Sequence, residues 1–435
     1  MQEEPARSAL RAKSRLLALL LLLPILSALT AVYTLDHTKT QRSLLAMTNL
    51  VGPTTRSLLE GKGLTVCTED MGTRGNPICF HAARMPATAA TVALGFRLFG
   101  DLYLRVAVFK TLLLLLPLEL AIFLVWKQLP RSRGRTLAMV LLLLAPFAIV
   151  SFLADVSNML VDEGYSYSFL ALALAFLLFP AIGPDLYPKA TARSIVFALA
   201  LDGLYLSKSS MLAAMLVLLA GFLLIERRAS LRLLVLVLAA AAPLGWALHQ
   251  HHVSGRYSFG TSLDGINLHK GNNQAFLENY PPRGGDSLDW YDFTLSRGLS
   301  FPDEWSFNDY HQHAALVYLR THPGRTFHGD LRKLDVLFFS CTKIGSSASH
   351  GTRKLVEGAG LLLFRLIFWA ATLSAISLML SRSTEGLLRT QAAIFVALVA
   401  ACALPYLAGF AYTRHVSILI YPSALFCCRV LLRKE

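Results

Sequence analysis

The chain has 435 residues, 54% of them hydrophobic and 16% charged, with a formal net charge of +14. A water-soluble domain carries roughly 25% charged residues, and the apolar residues of this chain fall in long blocks, which excludes an ordinary soluble enzyme and points to an all-α polytopic membrane protein. Much of the Lys and Arg flanks those blocks, so the positive balance reads as membrane topology and attraction for anionic lipid or lipid phosphate, not as a nucleic-acid surface.

The N-terminus places Arg7, Arg11, Lys13 and Arg15 ahead of an apolar run from Leu16 to Val32. A signal peptide cleaved near Ala28–Ala31 is one reading. A retained first span fits better, because many spans follow and the run is long for a signal. The apolar blocks predict about ten helices, at roughly 16–33, 103–126, 136–154, 165–182, 194–206, 210–225, 231–248, 359–380, 391–409 and 414–430. Barrel strands alternate and are shorter, so they do not explain such runs. The pair 194–206 and 210–225 is kept as two helices, since Lys208-Ser209-Ser210 interrupts the apolar sequence.

With that count the basic clusters Lys127–Arg135, Glu226–Arg232, Arg382–Arg389 and Arg429–Lys434 fall on one side with the N-terminus. That side is expected to be cytoplasmic. Fusing the short pair would put Glu226–Arg232 outside, against the charge rule. The chain then reads as a single membrane domain over 1–435, with two large outward loops at about 34–102 and 249–358 and a smaller one from Asp155 to Gly164. An interfacial amphipathic helix is expected over 82–100.

Cys67 and Cys79 flank a short polar stretch in the first outer loop. A disulfide there suits an oxidising compartment; two unrelated thiols are the alternative. Cys341, Cys402, Cys427 and Cys428 lie near or within spans and read as packing residues. His249, His251, His252, His311 and His313 are dense, but their spacing fits no metal motif, so no metal or other cofactor is assigned. The outer loops hold most of the acidic, His and Asn residues, which places any chemistry on the outer side. No phosphate loop, nucleophile elbow, zinc-protease or dinucleotide motif occurs. Span centres are nearly pure Leu, Ala, Val and Phe, whereas a transporter usually needs polar groups near the midplane.

Several segments resemble the GT-C membrane glycosyltransferases. In order they are Arg56–Leu64 (RSLLEGKGL), Arg84-Met85-Pro86 leading to Leu98-Phe99-Gly100, Leu206-Ser207-Lys208-Ser209, Gly265–Asn273 (GINLHKGNN), Ala315–Arg325 (ALVYLRTHPGR) with Arg332-Lys333-Leu334, and Tyr412-Thr413-Arg414-His415. They are similar to the family-39-type enzymes, the aminoarabinose-transferase and protein-mannosyltransferase relatives and the rhizobial galacturonosyltransferase-like group, over nearly the whole chain. The resemblance implies an inverting transfer of a sugar from a polyprenyl-phosphate donor to a lipid, glycan or protein acceptor, on the periplasmic face of a bacterial inner membrane. Some relatives use a divalent ion. The family's acid about ten residues before the "LL-x-G" stretch is missing; Met47, Thr48 and Asn49 stand there.

Such a reaction needs a carboxylate to take the acceptor proton and cations for the leaving phosphate. The acid candidates are Asp36, just after the first span, Asp162 and Glu163 before the fourth, and Asp155 after the third. Each also reads as a helix-end charge. For phosphate the candidates are Lys208, Arg84, Arg414 and Lys333, with Lys270 in reserve; the alternative is snorkelling or solvated charge. Asn272 and Asn273 are candidates for sugar or acceptor binding, or for a turn on Gly271-Asn272. Trp290, Tyr291 and Trp305 suit the membrane interface or sugar stacking. A transporter or flippase for a lipid-linked sugar, and a non-catalytic protein of the same fold, are the alternative functions.

Overall fold

A computed structural model describes residues 51–68, 77–100, 102–128, 142, 163–180, 187–280, 295, 298–340 and 352–431. The architecture is an all-α polytopic membrane fold. Among the described residues its helices are α1 (Val51–Leu59), α2 (Pro86–Phe99), α3 (Tyr103–Gln128), α4 (Glu163–Leu178), α5 (Tyr187–Ser207), α6 (Leu212–Ile225), α7 (Ala229–Ala239), α8 (Ala241–Ser254), α9 (Asp264–Gly271), α10 (Phe276–Asn279), α11 (Glu304–Thr321), α12 (Pro323–Phe338), α13 (Thr352–Leu380), α14 (Gly386–Ala408) and α15 (Ile420–Leu431). A two-stranded ribbon, β1 (Val66–Thr68) and β2 (Ile78–Phe80), is antiparallel with Cys67 opposite Cys79. Those two cysteines are joined as a disulfide.

Six segments among the described residues are long and apolar enough to cross a membrane: Arg105–Trp126, Ala190–Ser207, Ala229–Ser254, Gly358–Leu380, Gly386–Ala408 and Thr413–Leu431. Gly164–Leu178 and Ser209–Ile225 are shorter apolar helices. The count is therefore lower than the ten expected from hydrophobic blocks, and the blocks at 16–33 and 136–154 lie outside the described residues. A local cause shortens α4. The residue before a proline disfavours helical backbone, and α4 stops at Leu178, just ahead of Pro180. The chain also breaks at Lys208, whose backbone is extended at φ −161° and ψ 128°, so α5 and α6 are separate helices joined by a 3-10 turn, Ser209–Met211.

Helix α4 is apolar all round and buried on nearly every face, as such a helix must be; Tyr167, Leu170, Ala171, Ala173, Leu174 and Ala175 are inaccessible. Around this hub α3, α5, α6 and α15 pack. Gly203 lets α5 close on the Phe169 ring, and Gly221 brings α6 against Ile394 of α14. The perimeter exposes Leu116, Leu199, Leu224, Leu366 and Leu380, which in a membrane face lipid rather than water.

The span ending α8 runs six residues further than expected, to Ser254, where Gly255 in the left-handed region (φ +73°) closes the helix. Helix α2 is shorter than its expected range. Pro86 occupies its first turn and holds Met85 extended, which leaves residues 81–85 as a loop rather than helix.

Candidate functional site

The α5–α6 turn, the end of α8, the loop before α2 and the end of α14 gather at one end of the bundle. The centre of this end is the short loop that starts α9. Tyr205 of α5 donates its hydroxyl to the Phe259 carbonyl at 2.7 Å. Trp246 of α8 donates to the Gly260 carbonyl at 2.9 Å. Two spans thus fix the approach to Asp264. Its carboxylate accepts from the Thr261 N–H at 2.8 Å, the Thr261 hydroxyl at 2.8 Å and the Ser209 hydroxyl at 3.2 Å. Asp264 keeps access to solvent, yet protein encloses it closely. A Cβ on Gly260 would lie 2.3 Å from Oδ2. That enclosure pushes the carboxyl above its ordinary range, against those hydrogen bonds and the nearby Arg84 charge, which pull it down.

Arg84 reaches this place through a buried clamp. Glu304, at the start of α11, accepts from the N–H groups of His81 and Ala82 at 3.0 Å each. The Ala82 carbonyl in turn accepts from the Ser262 N–H at 2.9 Å. The loop carrying Arg84 is therefore tied to both the Asp264 loop and α11, which are more than 170 residues away in sequence.

Lys208 sits at the break between α5 and α6, with its ammonium 5.4 Å from the centre of the Tyr406 ring. Ser210 of the same turn is 3.2 Å from the Tyr406 hydroxyl. The opposite partner of Tyr406 is His415, stacked at 4.0 Å between ring centres. Next to it, the Arg414 guanidinium lies 5.1 Å from the Tyr412 ring, and His415 accepts from the Tyr412 N–H at 3.2 Å. One aromatic, Tyr406, therefore links the Lys208 turn to the Arg414 segment.

The remaining candidates make structural contacts. Lys333 is wholly buried, donating to Asp330 at 3.0 Å and to the Leu407 carbonyl at 2.8 Å. Burial lowers its pKa despite Asp330. Lys270 is buried with its ammonium 5.0 Å from the Phe410 ring. The Asn272 amide bridges the Leu268 and Ala408 carbonyls at 2.8 and 2.6 Å. Asn273 donates to the His269 and Lys270 carbonyls at 2.9 and 3.0 Å. Lys333, Lys270 and Asn272 hold α12 and α9 against the end of α14, while the Asn273 amide donates within α9. Trp305 is packed inward and donates to Ser254 at 2.9 Å.

Beside α9, His269 and His311 meet through their Nδ1 atoms at 2.9 Å. Burial lowers their pKa values to about 4 and about 3, and the His269 ring further disfavours a charge on His311. Both are therefore neutral at pH 7.

Asp36, Asp155 and Asp162 lie outside the described residues, as do Trp290 and Tyr291, and of Glu163 only the backbone, which opens α4, is described. Asp264 and Glu304 are the carboxylates that sequence reasoning missed. The available signal for Asp264 was its place directly ahead of the Gly265–Asn273 stretch. Chemically, Arg84 and Lys208 bring two cations to the same end of the bundle as Asp264, an accessible carboxylate.

No protein-family model matches the chain, and no curated protein matches it. Among solved structures it is similar to the Archaeoglobus fulgidus oligosaccharyltransferase in the apo form, with a TM-score of 0.48 and 12% identity over 94% of this chain and 50% of that one. The same enzyme tethered to an acceptor peptide containing the NVT sequon gives 0.47 and 13% over 94% and 49%. The archaeal oligosaccharyltransferase AglB from Archaeoglobus fulgidus, in complex with an inhibitory peptide and a dolichol-phosphate, gives 0.46 and 11% over 96% and 50%. The chain spans about half the length of these structures. At such scores the likeness assigns neither residues nor activity to this chain.

Proposed function

We propose that this chain is a GT-C-type membrane glycosyltransferase that moves a sugar from a polyprenyl-phosphate carrier to an acceptor on the outer, periplasmic face of a bacterial inner membrane. The observation that carries this reading is the convergence of Arg84, Lys208 and Asp264 at one end of an apolar helical bundle, with Arg414 linked through Tyr406. The ordered sequence segments that resemble GT-C enzymes supply three of these four residues. A disulfide in the adjoining loop suits an oxidising compartment.

In this reading the acceptor hydroxyl attacks the anomeric carbon from the face opposite the phosphate, and the carbon–oxygen bond to phosphate breaks with inversion. The pair of electrons leaves with the polyprenyl phosphate. Arg84, Lys208 and Arg414 stabilise the growing charge, and it is there, not in the resting donor, that cations lower the barrier. A carboxylate accepts the hydroxyl proton. Asp264 takes that role among the described residues, and an upward-shifted carboxyl is a better proton acceptor than an ordinary one. Asp36, Asp155, Asp162 and Glu163 are the other acids to compare.

The test is transfer of labelled sugar from a polyprenyl-phosphate donor in membranes holding the wild type, Lys208→Ala or Asp264→Asn. Label in the acceptor that depends on both residues supports the transferase. Carrier crossing the bilayer with no transferred label would instead favour a flippase.

A further inference from the structure

At the end of the bundle remote from Asp264, α4, α5 and α6 enclose a cavity of about 310 Å³. Its rim carries Arg193, Arg227, Arg228 and Glu226, and its walls are the rings of Phe176, Phe197 and Phe222 with Ile225. It sits where three apolar helices end together: α4 at Leu178, α6 at Ile225, and the span of α5 that begins at Ala190. A cavity at such a level has a polar mouth at the headgroup depth and an apolar interior toward the acyl chains.

The charges are unequal. Arg228 is neutralised by Glu226 through a forked pair, Nε at 2.8 Å and a terminal nitrogen at 2.7 Å. That leaves Arg193 and Arg227 in excess. Arg193 uses one N–H for the Phe179 carbonyl at 2.8 Å and lies 5.0 Å from the Phe176 ring centre. The rest of its planar fork is uncommitted among the described residues. Arg227 is exposed, and its guanidinium has no partner among the described residues. The carbonyls that end α4 do not compete for these cations alone: Leu177 and Leu178 accept from Gln391, and Phe179 also accepts from Gln128. Along the bundle wall, α5 and α6 continue outward with exposed Leu199, Leu216 and Leu224, a surface for hydrocarbon. The neighbouring basic clusters make this the end that the positive-inside rule puts on the cytoplasmic side, where anionic lipid is found.

We propose that this cavity binds the phosphate headgroup of an anionic phospholipid, held by Arg193 and Arg227, with its acyl chains lying against α5 and α6. Arginine is the suited residue, since its fork meets two phosphate oxygens at once. The site is independent of the transferase reading, because it lies at the other end of the spans.

The experiment is native mass spectrometry of the purified full chain, released from micelles holding equimolar phosphatidylglycerol and phosphatidylcholine. Wild type is expected to retain phosphatidylglycerol preferentially. Arg227→Ala removes no side-chain hydrogen bond or ion pair among the described residues and should lower that retention about fivefold, the effect of one interfacial cation on anionic lipid. Arg227→Lys should restore part of it, and Arg320→Ala, on α11, should change nothing. Equal retention of both lipids, or an Arg227→Ala variant that holds phosphatidylglycerol as well as wild type, would overturn the proposal. So would inorganic phosphate that displaces the lipid completely, since the site would then recognise the free anion.

Discussion

The Ser209 hydroxyl donates to Oδ1 of Asp264 at 3.2 Å, joining the turn between α5 and α6 to the first residue of α9. The same turn begins with Lys208, so one short piece of backbone carries both the cation and a hydrogen-bond donor to the carboxylate. Asp264→Asn keeps the shape but gives up the proton acceptor. Labelled-sugar transfer should fall by about 10²–10⁴-fold, the usual range for a general base. Ser209→Ala removes one of three hydrogen bonds, roughly 1 kcal/mol, and transfer should fall by no more than about tenfold. Transfer by Asp264→Asn at the wild-type rate would remove Asp264 from the mechanism and return the role to Asp36, Asp155, Asp162 or Glu163.

Glu304 offers a sharper structural test. Both of its oxygens accept backbone N–H groups, from His81 and Ala82, and the side chain is buried. Glu304→Gln has one oxygen, so its amide nitrogen must face an N–H donor. A buried donor left unsatisfied costs about 1–3 kcal/mol. The expected result is a lower unfolding temperature in detergent, together with a rise in the donor concentration needed for half-maximal transfer, because the loop carrying Arg84 loosens. A variant that unfolds earlier but binds donor normally would separate Arg84 from the donor site.

The contrast between these residues shows what the sequence can and cannot carry. The spans were legible because membrane insertion demands apolar blocks, and the break at Lys208 was legible because Lys-Ser-Ser interrupts one. Span number was less so, since a block does not reveal that Pro180 ends its helix early. The clamp by Glu304 was invisible: its partners are 222 and 223 residues away, and no local pattern marks a carboxylate that will receive distant backbone. Asp264 resembles any acidic residue in a helix first turn. Lys333 stood among the phosphate candidates because Arg332-Lys333-Leu334 belongs to a segment resembling the GT-C enzymes. Only the fold shows its ammonium between Asp330 and the Leu407 carbonyl.

The two glycines of the Gly265–Asn273 stretch have a packing reason. A Cβ on Gly265 would stand 2.2 Å from the Asn308 carbonyl oxygen, and one on Gly271 would stand 1.7 Å from the Gly409 carbonyl oxygen. Both obstacles are backbone and cannot swing aside. Gly271→Ala and Gly265→Ala should each destabilise the protein by about 1–3 kcal/mol, read as a fall in unfolding temperature. Gly245→Ala, with open space around its Cβ position, is the control and should match or slightly exceed wild type, since alanine favours helix. If Gly271→Ala is as stable as that control, α9 does not lie against the end of α14.

The paired histidines predict how stability follows pH. In the folded protein His269 and His311 titrate at about 4 and about 3, whereas free histidine titrates near 6.5. The unfolded chain therefore takes up protons first as pH falls. Stabilisation is complete above about pH 6.5 and is lost progressively below it, on the order of 1 kcal/mol per histidine per pH unit, until the folded rings themselves titrate. The unfolding temperature in detergent should fall steeply between about pH 6.5 and about pH 5. His311→Phe keeps an aromatic ring among Phe301, Phe307 and Tyr310 and removes one titrating group, so its curve should be flatter than that of wild type over the same interval. An unchanged slope in that variant would mean the acid sensitivity arises elsewhere, and that the pair at 2.9 Å does not hold α9 to α11 in its neutral form.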